Sequence, residues 1–169
     1  AAGPTILTVG DSTMADAAAS GDRRGWGQAL PDCVKPGVKV VNKAVSGTSS
    51  KSYYNTAWPA AIATKPDFVL IQFGTNDVQK ADALHTDPDT TFKDYLRKYI
   101  KDATAAGAKP VLITPAALRY YKAGKIDSKL QPYAKAMIEV AEETKTPVID
   151  LNAASAALYD KLGQPEAEK

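Results

Sequence analysis

The sequence predicts an α/β fold with a parallel sheet, and three observations carry this prediction. Five short runs of mostly apolar residues are spaced along the chain, and Pro, Gly or Asp bounds nearly all of them. Such runs suit strands that are buried on both faces. Amphipathic helical segments separate the later runs, and strand–helix alternation is typical of parallel sheets with right-handed crossovers. With 169 residues, 44% of them apolar, the chain corresponds to about one domain with a substantial core.

The strands are predicted, in order, at residues 5–10 (TILTVG), 38–45 (VKVVNKAV), 67–74 (DFVLIQFG), 109–115 (KPVLITP) and 147–151 (PVIDL). A helix before the fourth strand stops at Gly107 and has an apolar stripe made of Phe92, Leu96, Tyr99 and Ile100. A second helix, at residues 132–145, directs Met137, Ile138 and Ala141 inward. Together these elements predict a three-layer α/β/α domain over residues 1–169. Its sheet is a flavodoxin-like, doubly wound, five-stranded parallel sheet.

Composition excludes several classes of partner. The 21 basic and 19 acidic side chains nearly cancel and are spread along the chain, so we expect a neutral substrate and no nucleic-acid or membrane partner. Cys33 is the only cysteine, which excludes a disulfide within the chain and a cysteine metal cluster. No apolar stretch approaches the roughly 18 residues of a membrane span. The small residues that begin the chain, AAGPT, are typical of signal cleavage, so we expect an extracellular or periplasmic protein.

Polar residues follow the first three strands, where an open parallel sheet forms its ligand site. The first strand is followed by GDST with Ser12, the second by SGTSS with Gly47, and the third by GTND with Asn76. One crevice therefore receives a hydroxyl, a glycine turn and a carboxamide. A serine in such a turn is most often a helix cap, so the first strand end alone does not distinguish a nucleophile from a cap.

Acyl transfer requires this set of groups. Ser12 is a candidate nucleophile for an ester carbonyl, and the oxyanion that develops needs preorganised donors. The backbone N–H groups of Ser12 and Gly47 and the side-chain amide of Asn76 supply three donors. A glycine at position 47 lets the backbone approach the substrate closely.

These motifs carry a resemblance to a known family. GDST, the isolated Gly47 and GTND resemble the first three sequence blocks of the SGNH (GDSL-like) hydrolase superfamily. The segments TDPDTTFKDYLRKYI, KPVLITP and PVIDLNAASAALYDKLG are similar to its rhamnogalacturonan acetylesterase-like branch. The resemblance implies a serine esterase that removes O-acetyl groups from plant cell-wall polysaccharide, with no cofactor and no metal. It makes Ser12 the nucleophile and a donor, and Gly47 and Asn76 the other donors.

The sequence departs from this family at its C-terminal end. The family's fourth block has an Asp followed three residues later by the His that acts as general base, and this chain stops at LGQPEAEK before any such block. Without a base, a serine hydroxyl is a poor nucleophile. We therefore expect the segment with the catalytic Asp and His and the last helix to be missing. A complementing C-terminal peptide or a second subunit is the expected partner, and a non-catalytic carbohydrate-binding remnant is the alternative.

Other residues have plainer interpretations. His85 is the only histidine and lies in a polar loop, where solvation is the expected state and the role of base the exception. Asp11, Asp77 and Asp150 are expected to hold their turns. Trp26 and Trp58 are expected to pack rather than to stack on sugars.

The loop after the fourth strand offers Arg119, Tyr120 and Tyr121, which suit pyranose faces and uronate carboxylates, so it is the candidate substrate-binding loop. A phosphoacceptor receiver domain would need a lysine after the fifth strand, and a nucleotide-binding domain a Gly-rich phosphate loop. The sequence has neither.

Overall fold

The structure is a computed structural model that describes residues 3–17 and 24–167. Its main sheet contains five parallel strands, β1 (Thr5–Gly10), β2 (Lys39–Asn42), β3 (Phe68–Gln72), β4 (Lys109–Ile113) and β7 (Val148–Ile149). They lie side by side in the order β2-β1-β3-β4-β7. The register places Leu7 of β1 beside Val41 on one side and Val69 on the other. The predicted α/β fold with a five-stranded parallel sheet is confirmed.

The remaining elements lie between and after these strands. The helices are α1 (Trp26–Ala29), α2 (Ser50–Thr56), α3 (Trp58–Ile62), α4 (Thr91–Ala105), α5 (Gln131–Thr144), α6 (Leu151–Leu162) and α7 (Gln164–Ala167), with a 3-10 turn at Leu30–Cys33. Two short strands, β5 (Tyr121–Lys122) and β6 (Lys125–Ile126), form an antiparallel hairpin. The hairpin, α2 and α3 were not predicted from the sequence. Within the described ranges, no helix is long and apolar enough to cross a membrane.

Local chemistry explains where the helices begin and end. At the start of α2, the side chains of Ser49 and Ser52 form a reciprocal capping box. The carboxylate of Asp150 caps α6 by accepting the backbone N–H of Ala153 at 3.0 Å, which confirms the turn-holding role expected for this residue. After α4 the chain reverses at Gly107, whose φ of 81° is favourable only for glycine.

Four of the five predicted strands extended too far at their carboxyl ends, since β3 and β4 end at Gln72 and Ile113, and β2 and β7 also end early. β2 ends at Asn42, although the N–H groups of Lys43 and Val45 still donate to carbonyl groups of the first strand and its end, each at 2.9 Å. β7 ends at Ile149, because Asp150 begins the next helix. The carboxyl ends of these strands therefore become loop or helix cap sooner than apolar patterning indicates.

The continuous hydrophobic core lies on one face of the sheet. Alternate strand residues on that face, such as Val9, Ile71 and Leu112, are fully buried against α2, α3, α4 and α5. The alternate set includes Ile6, Leu70 and Val111, which are only half-buried. Two groups of residues border a groove beside this second face, one at α1 and one at β7 and α6. The groove positions the candidate site.

Candidate active site

Ser12 lies in a tight turn directly after β1, with an exposed side chain. The turn is closed by the backbone oxygen of Asp11, which accepts the N–H groups of Met14 and Ala15 at 3.1 and 2.9 Å. Residues 11–15 form turns and bends, and the next described helix begins at Trp26. The chain therefore presents the Ser12 hydroxyl at the carboxyl edge of the sheet.

Asp11, and not Ser12, holds this turn. One oxygen of the Asp11 carboxylate accepts the backbone N–H and the hydroxyl of Thr13, at 2.9 and 2.8 Å. Among the described residues, the Ser12 hydroxyl caps no N–H group and has no hydrogen-bond partner. Asp11 therefore stabilises the turn, and the Ser12 hydroxyl caps no helix within the described residues.

Gly47 lies in the loop between β2 and α2, with φ of 79°. This left-handed conformation favours glycine. A Cβ atom built on Gly47 would have no heavy atom within 4 Å, so the space in front of this backbone is open. Open space at that position is what a substrate group would occupy.

Asn76 follows β3 and is 8% exposed. Its side-chain nitrogen donates to the backbone oxygen of Thr48 at 2.8 Å, and its side-chain oxygen accepts from the amide of Gln79 at 2.7 Å. These two contacts orient the amide so that the nitrogen faces the loop of Gly47. One proton of the nitrogen is bound by Thr48, and the second has no partner among the described residues.

Two backbone N–H groups in the same region likewise have no acceptor among the described residues. Within the described part of the chain, neither the N–H of Ser12 nor that of Gly47 donates to a protein acceptor. The loops that carry them are joined, because the backbone oxygen of Gly10 accepts the N–H of Val45 at 2.9 Å. The structure thus joins the loops of Ser12, Gly47 and Asn76, and it leaves one N–H group of each residue without a protein acceptor among the described residues.

The buried carboxylate of Asp77 joins the start of α2 to the loop after β3. Asp77 accepts the backbone N–H and hydroxyl of Ser50 at the start of α2, the backbone N–H of Gly74 at 3.0 Å and the hydroxyl of Thr86 at 2.7 Å. Its backbone oxygen accepts the hydroxyl of Tyr133 at 3.1 Å. Burial raises the pKa of the Asp77 carboxyl, and the hydrogen bonds oppose this rise. Asp77 holds its loop, as the sequence indicated.

A second buried polar residue, Gln72, was missed by the sequence analysis. Its side-chain oxygen accepts the indole N–H of Trp26 at 2.7 Å and the hydroxyl of Thr13 at 3.1 Å. Its side-chain nitrogen donates to the backbone oxygen of Thr114 at 3.3 Å. Gln72 therefore ties the turn of Ser12 to β3, β4 and α1. The signal was a glutamine within an otherwise apolar strand, FVLIQ.

The second oxygen of the Asp11 carboxylate has an unusual environment. This atom and the hydroxyl of Thr75 are both buried, and neither makes a hydrogen bond of regular geometry. Burial raises the pKa of the Asp11 carboxyl, while Thr13 and the nearby Thr75 hydroxyl lower it. A buried, half-satisfied carboxyl therefore lies directly beneath the turn of Ser12.

Ser12 also lines a groove of about 1200 Å³. Trp26 lies on the α1 side, and the exposed side chains of Ile149 and Leu158 lie on the β7 and α6 side. Among the described residues that line it, two are arginines and none is acidic. Apart from these guanidinium groups, the lining is mainly apolar, and the groove is open to solvent.

The described residues hold no general base for Ser12. His85 is exposed, and its Nδ1 lies 3.1 and 3.0 Å from the backbone oxygens of Asp77 and Gln79. Because both partners are acceptors, Nδ1 carries the proton. Asp150 is engaged with Thr114 and the start of α6. Within residues 3–17 and 24–167, no group of three or more His, Cys, Asp or Glu side chains could hold a metal ion.

The three residues of the candidate substrate-binding loop have different environments in the structure. Arg119 lines the groove and donates to the backbone oxygen of Ala167 at 2.6 Å. Tyr120 is 52% exposed, whereas Tyr121 is half-buried and donates its hydroxyl to the backbone of Tyr159 at 3.2 Å. Arg119 and Tyr120 are thus the accessible members, and Tyr121 serves to attach the hairpin.

An exposed serine at the end of β1, beside a glycine turn and an asparagine amide, defines the class: an acyl hydrolase of the SGNH type on a flavodoxin-like sheet. Comparison with known proteins agrees. Residues 8–168 match the GDSL-like Lipase/Acylhydrolase family, and the chain belongs to this family.

Curated relatives are longer than this chain. The probable rhamnogalacturonan acetylesterase YesY of Bacillus subtilis is 36% identical over 163 residues, which are 94% of this chain and 75% of that protein. The rhamnogalacturonan acetylesterase RhgT of the same organism is 36% identical over 169 residues, 97% of this chain and 72% of that protein. The chain therefore spans about three quarters of each.

Solved structures give the same fold. YxiM of Bacillus subtilis superposes with a TM-score of 0.85 at 29% identity, over 97% of this chain and 48% of that one. Axe2, an acetylxylan esterase from Geobacillus stearothermophilus, gives 0.73 at 25% identity, over 93% and 80%. Three solved variants of Axe2 are catalytic mutants, in which a serine, an aspartate or a histidine is replaced by alanine.

Proposed function

We propose that this chain is the large part of a serine esterase that removes O-acetyl groups from carbohydrate, pectin-type rhamnogalacturonan or a related plant polysaccharide. The observation that carries the proposal is the exposed Ser12 hydroxyl beside three uncommitted N–H donors. The names of YesY, RhgT and Axe2 support acetylated polysaccharide as the substrate class.

The proposed reaction has two steps. The oxygen of Ser12 attacks the acetyl carbonyl while its proton passes to the general base, and the oxyanion is bound by the N–H groups of Ser12 and Gly47 and by the side-chain nitrogen of Asn76. Collapse of the tetrahedral intermediate breaks the bond to the sugar oxygen, which takes the proton from the base, and an acetyl-serine remains. Water then attacks the acetyl-serine through a second intermediate at the same donors and releases acetate.

The proton acceptor is proposed to come from outside these residues, on a complementing C-terminal segment or a second subunit. The catalytic histidine and aspartate of Axe2 support this, as does the greater length of the relatives. The groove beside Ser12 is the proposed seat of that segment, because Ile149 and Leu158 are each 53% exposed there. The added segment would cover these side chains and bring a neutral imidazole to the Ser12 hydroxyl.

The first test is the intact mass of the purified protein under denaturing conditions, paired with p-nitrophenyl acetate turnover by the same sample. A second, smaller polypeptide together with turnover is the expected result for a two-piece enzyme. Replacement Ser12→Ala should abolish turnover, while Ser46→Ala, an exposed serine in the neighbouring loop, should preserve it. Turnover that survives Ser12→Ala would contradict the proposal.

A carbohydrate-binding remnant is the second candidate, because the described residues provide no base for Ser12. A serine-directed fluorophosphonate probe separates the two candidates. Labelling at Ser12 supports an activated nucleophile. An unlabelled protein that is a single 17.9 kDa species and still binds acetylated polysaccharide would favour the remnant.

We further propose an extracellular or periplasmic location, since polymeric plant polysaccharide lies outside the cell. Fractionation of the source cells, with detection of this polypeptide in each fraction, tests it. Recovery from the cytoplasm alone would contradict the location without affecting the chemistry.

A further inference from the structure

The direction of the Ser12 N–H is set by the peptide group that Ser12 shares with Asp11. A trans peptide group is planar, so its carbonyl oxygen and its N–H point in opposite directions. The backbone oxygen of Asp11 accepts the N–H groups of Met14 and Ala15, which turns this oxygen toward the residues that follow Ser12. The N–H of Ser12 is thereby directed the other way, and a shift of Met14 or Ala15 would redirect it.

Helix α1 packs directly on these two residues. A glycine lies on each side of Trp26, and neither position has room for a side chain. A Cβ atom on Gly25 would lie 2.1 Å from the backbone oxygen of Ala15. A Cβ atom on Gly27 would lie 2.6 Å from the backbone oxygen of Met14. The start of α1 therefore supports the segment that fixes the Ser12 peptide.

The side chain of Gln72 joins this helix to the turn of Ser12. Its oxygen accepts the indole N–H of Trp26 at 2.7 Å and the hydroxyl of Thr13 at 3.1 Å. The backbone N–H of Trp26 also donates to the backbone oxygen of Thr13, at 3.0 Å. The Thr13 hydroxyl shares its proton with the Asp11 carboxylate, at 2.8 Å. One buried oxygen of Gln72 thus contacts both α1 and the residue next to Ser12.

The sheet itself fixes the position of Gln72. This residue is fully buried and lies beside Gly10 in the register of β3 with β1. Its side-chain nitrogen donates to the backbone oxygen of Thr114 at 3.3 Å, just after β4. Because a buried amide loses free energy when a partner is lost, these contacts hold the side chain in one orientation. Gln72 therefore transmits the geometry of three strands to the turn of Ser12.

We infer that Gln72 and Trp26 are positioning residues for the nucleophile, and that they hold the turn so that the Ser12 N–H and hydroxyl face the acyl carbonyl. The Ser12 hydroxyl has no partner of its own among the described residues, so its neighbours must fix the turn. Gln72 is fully buried, which keeps it from substrate, and it acts through Thr13 and Trp26. The inference rests on the proposed function for the reaction that this geometry serves.

Steady-state kinetics with p-nitrophenyl acetate test the positioning role. Gln72→Met fills a similar volume without a hydrogen-bond acceptor, and it should lower kcat about ten- to hundredfold with KM little changed. Trp58→Phe is the matched control, because the Trp58 indole also donates to a side chain, Asp102 at 2.9 Å, but from α3. This control should keep the wild-type kcat. A wild-type kcat in Gln72→Met would overturn the inference.

A double variant separates positioning from stability. Gln72→Met leaves the indole N–H of Trp26 without its acceptor, which destabilises the fold. Adding Trp26→Phe removes that buried donor, so the double variant should regain part of the stability lost in urea denaturation. Its kcat should stay about as low as in Gln72→Met, because Thr13 has still lost its contact. Recovery of kcat together with stability would show a purely structural role and overturn the inference.

A second readout needs no turnover. The backbone amide of Ser12 gives its own NMR signal, which we expect to shift in Gln72→Met and to stay in place in Trp58→Phe. An unshifted Ser12 signal in Gln72→Met, with Ser12-dependent turnover intact, would refute the positioning role alone. A shifted signal in a protein whose wild type shows no turnover would refute the proposed reaction and support the positioning of the turn.

Discussion

The side-chain nitrogen of Asn76 lies 2.8 Å from the backbone oxygen of Thr48, so the loop after β3 is fastened to the loop after β2 through the residue proposed to bind the oxyanion. This bond uses one proton of the Asn76 amide nitrogen, and it thereby fixes the direction of the second N–H. Asn76 thus has a structural contact and a proposed catalytic one, and a substitution should reveal both.

Replacement Asn76→Ala should lower kcat for p-nitrophenyl acetate about 10²- to 10³-fold, as loss of one oxyanion donor typically does. The lost bond to Thr48 should also reduce the free energy of unfolding by about 1 kcal/mol. Steady-state kinetics on the active protein and urea denaturation check the two effects. Gln79→Ala, which releases only the Asn76 oxygen, is the milder control, and an equal loss of kcat there would contradict the donor role.

Replacement Asp77→Asn should destabilise the fold by about 2–3 kcal/mol, because its new NH₂ group would face the donors of Ser50, Gly74 and Thr86. Urea denaturation measures the loss. Asp82→Asn removes an exposed carboxylate from the same region and should leave stability unchanged. Equal urea midpoints for Asp77→Asn and Asp82→Asn would show that the hydrogen bonds of the Asp77 carboxylate do not contribute to stability.

Replacement Gly74→Ala should be severe for two reasons. The φ of Gly74 is 131°, and a Cβ atom there would lie 2.8 Å from the ring of Pro115. We expect a loss of at least about 2 kcal/mol in unfolding free energy. Gly107→Ala is the matched control, since φ is also positive but the space is open, and it should cost only about 1 kcal/mol.

The Asp11 carboxyl gives a pH-dependent prediction. Because burial raises its pKa in the folded state, the folded protein binds this proton more tightly than the unfolded chain does. Its contribution to stability is therefore fully present below the unfolded pKa, and it is lost as pH rises through the folded pKa.

Replacement Asp11→Asn should remove this dependence. The amide keeps an oxygen for Thr13 and offers an NH₂ group to the unpartnered Thr75 hydroxyl. At neutral pH we expect the variant to be more stable by about 1 kcal/mol, with the difference shrinking toward acid pH. Unfolding curves at several pH values check this. A difference in unfolding free energy between Asp11→Asn and the wild type that grows toward acid pH would contradict this prediction.

Much of the sheet was predictable because buried parallel strands have a simple signature. The run TILTVG and its four counterparts lie where strands occur, and the observed order of the strands is the order of a flavodoxin-like sheet. The ends were less predictable. Val45 lies beyond the end of β2 although its N–H still donates to Gly10 of β1, and Asp150 caps a helix although it follows an apolar run. The hairpin β5–β6 was missed because two residues per strand carry no period.

The candidate site was predictable where it follows from topology. Ser12, Gly47 and Asn76 all follow strand ends, and parallel strands bring those ends together. The supporting contacts were not predictable, because they join residues distant in sequence. Gln72 contacts Trp26 and Thr13 from 46 and 59 positions away, and no local pattern encodes such pairs.

The half-covered sheet has a calorimetric consequence. The core lies on one face, while Ile6, Leu70 and Val111 on the other are already partly hydrated in the folded state. Unfolding should therefore expose less new apolar surface than is usual for a domain of this length. The heat-capacity change and the denaturant m-value should both be small for its size. Both quantities should increase when a polypeptide fills the groove. The heat-capacity change of unfolding would therefore measure how much of the second face of the sheet is covered.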